Sequence, residues 1–393
     1  MAGKEYRVFG PPGTGKTTFL TKWIKQSAEK HGNDSLIVAS FTKAAAKELV
    51  GRDLPIDIDR CATLHSHCFR SLGNPKIAET KIAEFNDMFP GHVMATTNTV
   101  NPDEGEFDQQ ATSENDELFN EYQVLRARCV APERWRDRVK TLAEKWEKFK
   151  FKTGYLDFND LIEKSIGNFH VKEGTKIGIF DEVQDFTPLQ LKLVRSIGEQ
   201  LEYSVLAGDD DQTIYGFTGA TPKAFLLPEL PPDQIKILGQ SYRVPRVVQK
   251  KAEAWIKMIK DRQEKEYLPR DFEGSIRYSG ADSRNPDKLI DHVMERASEG
   301  KTSMILASCG YMLKKAVAIL RERGMPFHNP YKVTRGDWNP LGRGAGISSK
   351  DRLVSYLEPE GPNAGRFKLW TPEQLNMFLQ QVTMAVTFPD FIG

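Results

Sequence analysis

The chain opens on a compact apolar stretch, residues 5–9 (EYRVF), that runs into the loop GPPGTGKTTFL and then into an amphipathic run, Phe19 to Ala28, with apolar positions at helical period. The order read is strand, glycine loop, helix. Further short apolar segments follow at Ser35–Ser40, Arg60–Thr63, Lys176–Phe180, Ser204–Ala207 and Gln234–Leu238, mostly separated by helical stretches. Strands alternating with helices predict an α/β fold, a parallel sheet covered on both faces.

Between the third and fourth of those strands the pattern changes. From Ile82 to Leu125 there is no Lys or Arg but ten Asp or Glu, and from Arg126 to Lys152 ten basic residues stand against four acidic ones. Asn98–Glu117 has few apolar anchors and reads as a mobile loop. The basic part, with Trp135, Leu142 and Trp146 at helical spacing, reads as one long helix. Its charged face either contacts phosphates or is simply solvated, and charge alone does not separate the two.

A second α/β unit begins near Gly239. Strands are predicted at Gly274–Tyr278 and Thr302–Ala307 around a helix from Pro286 to Ser298, and a further helix, Met312–Arg323, stops at Gly324 with Pro326 beyond. From Gly336 to Pro372 ten residues are Gly or Pro, and the chain ends on VTFPDFIG, which leads us to expect that the second unit is cut short.

Composition narrows the function classes. At 393 residues the chain is long enough for more than one core. The formal charge of +1 excludes a wholesale basic wrapper of nucleic acid and leaves room only for a local basic groove. The four cysteines form no C-x-x-C pair, as expected of a reducing, cytoplasmic setting. Neither a signal peptide nor a membrane span is read in the sequence, so no membrane partner is expected.

Gly10, Pro11, Pro12, Gly13, Thr14, Gly15, Lys16 and Thr17 satisfy the phosphate-loop pattern G-x-x-x-x-G-K-[ST] in its required setting, strand before and helix after. Backbone N–H groups and the helix N-terminus can surround phosphates, with Lys16 on the outer oxygens and the Thr17 hydroxyl on Mg²⁺. The apolar run Lys176–Phe180 then delivers Asp181 and Glu182 at a strand end, one carboxylate suited to hold the metal and the other to polarise an attacking water.

With those residues in place, the chain resembles superfamily 1A DNA helicases of the UvrD/Rep/PcrA type. The phosphate loop and Asp181-Glu182-Val183-Gln184-Asp185 resemble motifs I and II, and the segment from Ala207 to Phe217 resembles motif III. Leu238 to Arg243 resembles motif IV, while Ser40 to Ala46 and Ala62 to Ser66 resemble motifs Ia and Ib. Asp157-Phe158-Asn159-Asp160-Leu161 matches the acidic-aromatic segment that precedes motif II.

The resemblance implies a RecA-like P-loop motor domain, 1–72 with 150–238, a mainly helical insertion at 73–149, an incomplete second RecA-like domain at 239–333, and the start of another insertion at 334–393. It further implies ATP and Mg²⁺ as cofactors, single-stranded DNA and its junctions with duplex as partners, and 3′ to 5′ movement. Gln212 would sense the γ-phosphate, Arg243 would reach it as an arginine finger, and Tyr242 would stack on adenine. Phe41, Thr42, Thr63, His65, Tyr215 and Phe217 would line the strand path. Taken singly, each of these is more ordinarily a packing, capping or surface residue.

The chain also departs from the family. The glutamine segment that reads adenine is missing, Thr18 stands where many members carry an arginine near the base, and Thr218 follows Phe217 where another is usual. No segment resembling motif V or VI is read before Gly393, so weak turnover is expected of these residues alone. An ATP-gated DNA-binding or nuclease-recruiting module that does not unwind is the alternative.

Overall fold

The computed structural model describes residues 3–42, 45–46, 49, 51, 54–95, 113–323 and 325–329, with the backbone of 343–344 and 347–348. The chain forms two compact units, residues 1–276 and 277–393. The first is built on strands β1 (Lys4–Phe9), β2 (Leu36–Ser40), β3 (Cys61–Thr63), β4 (Ile177–Asp181), β5 (Tyr203–Gly208) and β6 (Ile235–Ile237). Their order is β3-β2-β4-β5-β1-β6, and the pairings are all parallel. All six strands of this sheet had been read from the sequence to within about two residues.

Helix α1 (Lys16–His31) packs Leu20, Ile24 and Ala28 with Val8, Leu36, Val38, Ile177, Ile179 and Val205 on one face. The other face carries Phe9, Ile37, Ala39, Phe180 and Leu206, packed with residues of α2 (Leu64–Ser71) and of helices that follow the insertion. Strands buried on both sides cannot show a polar alternation, which is why they read as continuous apolar runs.

The insertion supplies α3 (Ile82–Met88), α4 (Glu114–Ala127) and α5 (Asp137–Thr153), whose residues Phe85, Tyr122, Leu142, Trp146 and Phe149 form a core of their own. Two expectations need correction here. Residues 113–117 are not loop, because Ser113 and Asp116 close a capping box that starts α4; residues 98–112 lie outside the described region. Nor is 126–152 one helix: Pro132 opens a short 3₁₀ turn, and Trp135 sits before α5 with its indole N–H on the carbonyl of Val130.

After the insertion come α6 (Phe158–Ser165), α7 (Pro188–Gly198), α8 (Pro222–Leu226) and α9 (Arg246–Ile256). Leu161 and Ile162 of α6 and Leu189, Leu193 and Val194 of α7 complete the second face of the sheet. Asp157, fully buried, caps α6 and accepts from Arg126 (2.7 Å), Lys150 (2.7 Å) and the Trp146 indole (2.9 Å), tying α4, α5 and α6 together. Two cations of the basic stretch are thus spent inside the fold rather than on a phosphate-facing surface.

The second unit contains α10 (Asp287–Ser298) and α11 (Lys314–Glu322), packed through Ile290, Ala316, Leu320 and Met325, and the short hairpin β7 (Arg343–Gly344) and β8 (Ile347–Ser348). The strands expected at Gly274–Tyr278 and Thr302–Ala307 are absent from every sheet among the described residues. An apolar run becomes a strand only when a neighbour takes up its N–H and C=O groups, and neither run has one there. Most of the segment predicted as an insertion at 334–393 lies outside the described residues. No described helix is long and apolar enough to cross a membrane.

Candidate nucleotide and nucleic-acid site

The loop from Gly10 to Thr17 links β1 to α1 at the carboxyl end of the sheet. Gly13 and Gly15 adopt φ of 76° and 80°, left-handed values that glycine reaches without strain. Thr14 folds its hydroxyl onto the carbonyl of Pro11 (2.8 Å), and the Lys16 ammonium donates to the carbonyl of Gly10 (2.7 Å). Thr17 and Thr18 occupy the first turn of α1, Thr18 on its exposed side. The open helix N-terminus and the curled backbone form an anion-binding nest.

Two strands over, β4 ends on Asp181, buried to 2% exposure, whose carboxylate accepts from the backbone N–H of Glu182 (2.9 Å). Glu182 takes a left-handed φ of 53°, rare outside glycine and recurrent at functional sites. Its side chain accepts from the Gln184 amide (2.7 Å), whose oxygen in turn accepts from the backbone N–H of Asp209 (3.0 Å). Asp209 then receives the Gln212 amide at 2.6 Å. A continuous chain of hydrogen bonds therefore runs from Glu182 through Gln184 and Asp209 to Gln212. Burial, and then the charge of Glu182, push the Asp185 carboxyl up to about 7.

The segment expected to close over the nucleotide touches the phosphate loop directly. The backbone N–H of Tyr242 donates to the carbonyl of Gly13 (2.8 Å), and the buried Ser241 hydroxyl donates to the carbonyl of Pro12 (2.8 Å). Arg243 is held so close that a β-carbon added to Gly13 would lie 2.5 Å from that of Arg243. The Tyr242 side chain is 73% exposed and available for stacking.

Behind this segment lies a buried ionic clasp whose two cations, Arg262 and Lys265, stand outside every motif-like segment. The Lys265 ammonium, on a side chain 1% exposed, stands 3.2 Å from Asp209 and 2.9 Å from Asp211, and also bonds Asp210. Arg262 grips Asp211 with two bonds of 2.8 Å. Burial opposes the Lys265 charge, but Asp209 and Asp210 outweigh it and raise its pKa. Three residues on, Leu268 exchanges backbone hydrogen bonds with Ser241 (2.8 Å) and Gly239 (2.9 Å), so the clasp and the Tyr242-Arg243 loop belong to one piece of structure.

The residues expected along a strand path separate into two groups. Phe41, Tyr215 and Phe217 form a ladder, with ring centroids 5.0 Å and then 5.9 Å apart, running from a buried ring to one 60% exposed. Thr42 accepts from the backbone N–H of Ala45 (3.2 Å). Thr63 and His65 are covered: the Thr63 hydroxyl caps α2 through Ser66, and His65 meets the edge of Phe158 at 5.7 Å. Among the described contacts their side chains are engaged in a helix cap and a ring contact.

The donor set of Thr17, Asp181 and Glu182 consists of hard oxygens and suits Mg²⁺. The Ser40 hydroxyl, 1% exposed at the end of β2 beside Asp181, has no hydrogen-bond partner among the described residues and so offers a further hard oxygen for the shell of a cation. No role is read from the sequence for Ser241, Gln184, Arg262 or Lys265; Gln184 and Ser241 lie within motif-like segments, whereas Lys265 sits in a charged run with no pattern of its own.

Comparison with known proteins places these features in a family. A family model for the UvrD/REP helicase N-terminal domain matches residues 2–230. PcrA of Staphylococcus aureus, named an ATP-dependent DNA helicase, is 24% identical over 350 residues, 82% of this chain and 48% of its own length. YjcD of Bacillus subtilis, a putative ATP-dependent DNA helicase, is 24% identical over 283 residues, 66% of this chain and 37% of its own. F-box DNA helicase 1 of Gallus gallus is 27% identical over 269 residues, 61% of this chain and 25% of its own. The chain thus spans half or less of the length of these relatives. With a parallel six-stranded sheet, a phosphate loop at its carboxyl end and a match over more than half its residues, the chain belongs to the UvrD/Rep helicase family.

Proposed function

We propose that this chain is the nucleotide-binding part of an ATP-dependent DNA helicase that couples ATP hydrolysis to 3′ to 5′ movement on single-stranded DNA and to opening of its junctions with duplex. The observation that carries the reading is the hydrogen bond from Tyr242 N–H to the Gly13 carbonyl, which sets Arg243 against the phosphate loop, at the same end of the sheet as Asp181 and Glu182.

In this reading Lys16 and the loop N–H groups hold the outer phosphates, Thr17 and Asp181 hold Mg²⁺, and Glu182 orients the attacking water. Bound Mg²⁺ supplies neutralisation of the charge shared by the two outer phosphates. Arg243 meets the charge that grows on the transferred group, the work for which an arginine is suited. Gln212 reports the state of that phosphate along its bond to Asp209, whose backbone N–H in turn bonds Gln184, and the exposed faces of Tyr215 and Phe217 stack on unpaired bases whatever their sequence.

The test is ATP hydrolysis by the purified chain with and without a single-stranded oligonucleotide, beside a strand-displacement assay. Binding of ATP with Mg²⁺ that is lost in Lys16→Ala, with hydrolysis raised by the oligonucleotide, is the expected outcome. Turnover by residues 1–393 should be weak, because a second arginine is expected to come from a segment resembling motif VI. Hydrolysis indifferent to DNA would overturn the reading. Turnover without displacement by the intact polypeptide would favour the non-unwinding switch.

A further inference from the structure

We infer that Ser40 is a further positioning residue of the metal–nucleotide site, its hydroxyl holding a water of the Mg²⁺ shell beside Asp181; the inference rests on the nucleotide-binding reading above. Along β2, Leu36 and Val38 join the core beneath α1, while Ile37 and Ala39 join the opposite core. Side chains alternate along a strand, so Ser40 falls on the α1 face. On β4 the same alternation, Ile177 and Ile179 against Phe180, puts Asp181 on that face too. The two residues are register partners on adjacent strands, Ser40↔Asp181. Their side chains are therefore neighbours at the carboxyl end of the sheet, on the side from which the phosphate loop enters α1.

Among the described residues neither strand neighbour of Ser40 supplies a partner for its hydroxyl. On the other flank its register partner is Thr63, whose hydroxyl donates to Ser66 at 2.8 Å. Ser40 is 1% exposed, and its oxygen makes no hydrogen bond among the described residues. A hydroxyl buried without a partner costs stability, and a fold that merely needed a small side chain there would be served by alanine. The charge of Asp181 reaches this face, since after burial it is the second cause that pushes the Cys61 thiol up to about 11. A hydrated dication settling on Asp181 brings water into reach of the orphan oxygen, and the hydroxyl can accept from it or donate to it.

This makes an unusual pair of expectations for Ser40→Ala. Without nucleotide the variant melts at the same temperature as the unaltered protein or a degree or two higher, because an unsatisfied polar group is removed. With Mg²⁺ present its affinity for ATP, read by a fluorescent ATP analogue, falls by about tenfold, the loss expected of one hydrogen bond to the metal shell. In EDTA the affinities of the two proteins for the analogue are equal. Ser40→Thr, which keeps the hydroxyl, recovers the Mg²⁺-dependent affinity. Unchanged affinity of Ser40→Ala in Mg²⁺, or an equal loss in Mg²⁺ and in EDTA, overturns the inference and leaves the nucleotide reading standing. An unaltered protein that fails to bind ATP with Mg²⁺ at all overturns both.

Discussion

The ammonium of Lys265 stands 3.2 Å from one carboxylate oxygen of Asp209, and the other oxygen of Asp209 accepts the Gln212 amide at 2.6 Å. One aspartate thus serves both a buried cation, which arrives from 56 residues further along the chain, and the amide expected to sense phosphate. Removing the cation leaves Asp209 and Asp210 without their ion-pair partner in a covered site, while Asp211 keeps Arg262. Lys265→Met should therefore lose about 3–5 kcal/mol in urea unfolding, the usual cost of breaking a buried pair from one side. Adding Asp210→Asn should return part of that loss, and a double-mutant cycle on the two positions measures the coupling.

Gly13 combines a left-handed backbone with a neighbour that leaves no room for a β-carbon, whereas Gly32, at φ 93°, has open space around it. Both Gly13→Ala and Gly32→Ala should lose about 1–2 kcal/mol to backbone strain. Only Gly13→Ala pushes Arg243 and Ser241 off the phosphate loop, so it alone should weaken binding of the fluorescent ATP analogue, by tenfold or more. Equal nucleotide affinity in the two variants would show that the Tyr242-Arg243 loop does not depend on its contact with Gly13.

The aromatic ladder separates folding from binding along its length. Phe41 is buried, and Phe41→Ala should cost about 3–5 kcal/mol of stability. Phe217 is 60% exposed, and Phe217→Ala should leave stability within about 0.5 kcal/mol while weakening single-stranded oligonucleotide binding by about 1–3 kcal/mol, the worth of one stacked base. Fluorescence anisotropy with a labelled oligonucleotide, run beside urea melts, reads both effects. Undiminished DNA binding by Phe217→Ala would remove the outer rung from the strand path.

Glu79 carries a pH dependence of the fold itself. Burial, and then the charge of Asp157, push its carboxyl up to about 8, although one of its oxygens accepts from the backbone N–H of Phe158 at 3.0 Å. The folded state therefore holds a proton that the unfolded chain gives up above its ordinary value of 4.5. Stability tied to this group falls as pH rises from about 4.5 to about 8, and is level on either side. Glu79→Gln should accordingly match the unaltered protein in urea midpoint at pH 4 and exceed it at pH 9. A stability difference that does not change between those two pH values would place the proton elsewhere.

Much of the candidate site is legible in the sequence. Gly13, Gly15 and Lys16 stand in a short stretch whose pattern states its own conformation, and Asp181 and Glu182 follow an apolar run that can only be an inner strand. The basic stretch misled for a physical reason: charge reads as solvent-facing until opposing charge is found, and Asp157 supplies it to Arg126 and Lys150 from another element. The cap that Thr63 forms and the ring contact of His65 are likewise visible only in the fold.

Local pattern alone identifies the six strands of the parallel sheet, the phosphate loop and the acidic strand end, because apolar runs, glycine positions and motif spacing are properties of residues close together in the chain. The folded arrangement is what pairs Lys265 with Asp209, leaves the Ser40 hydroxyl without a hydrogen-bond partner among the described residues, and keeps residues 274–278 out of every sheet among them. Those outcomes depend on which group lies opposite across a fold, and a one-dimensional pattern carries no record of what it will face.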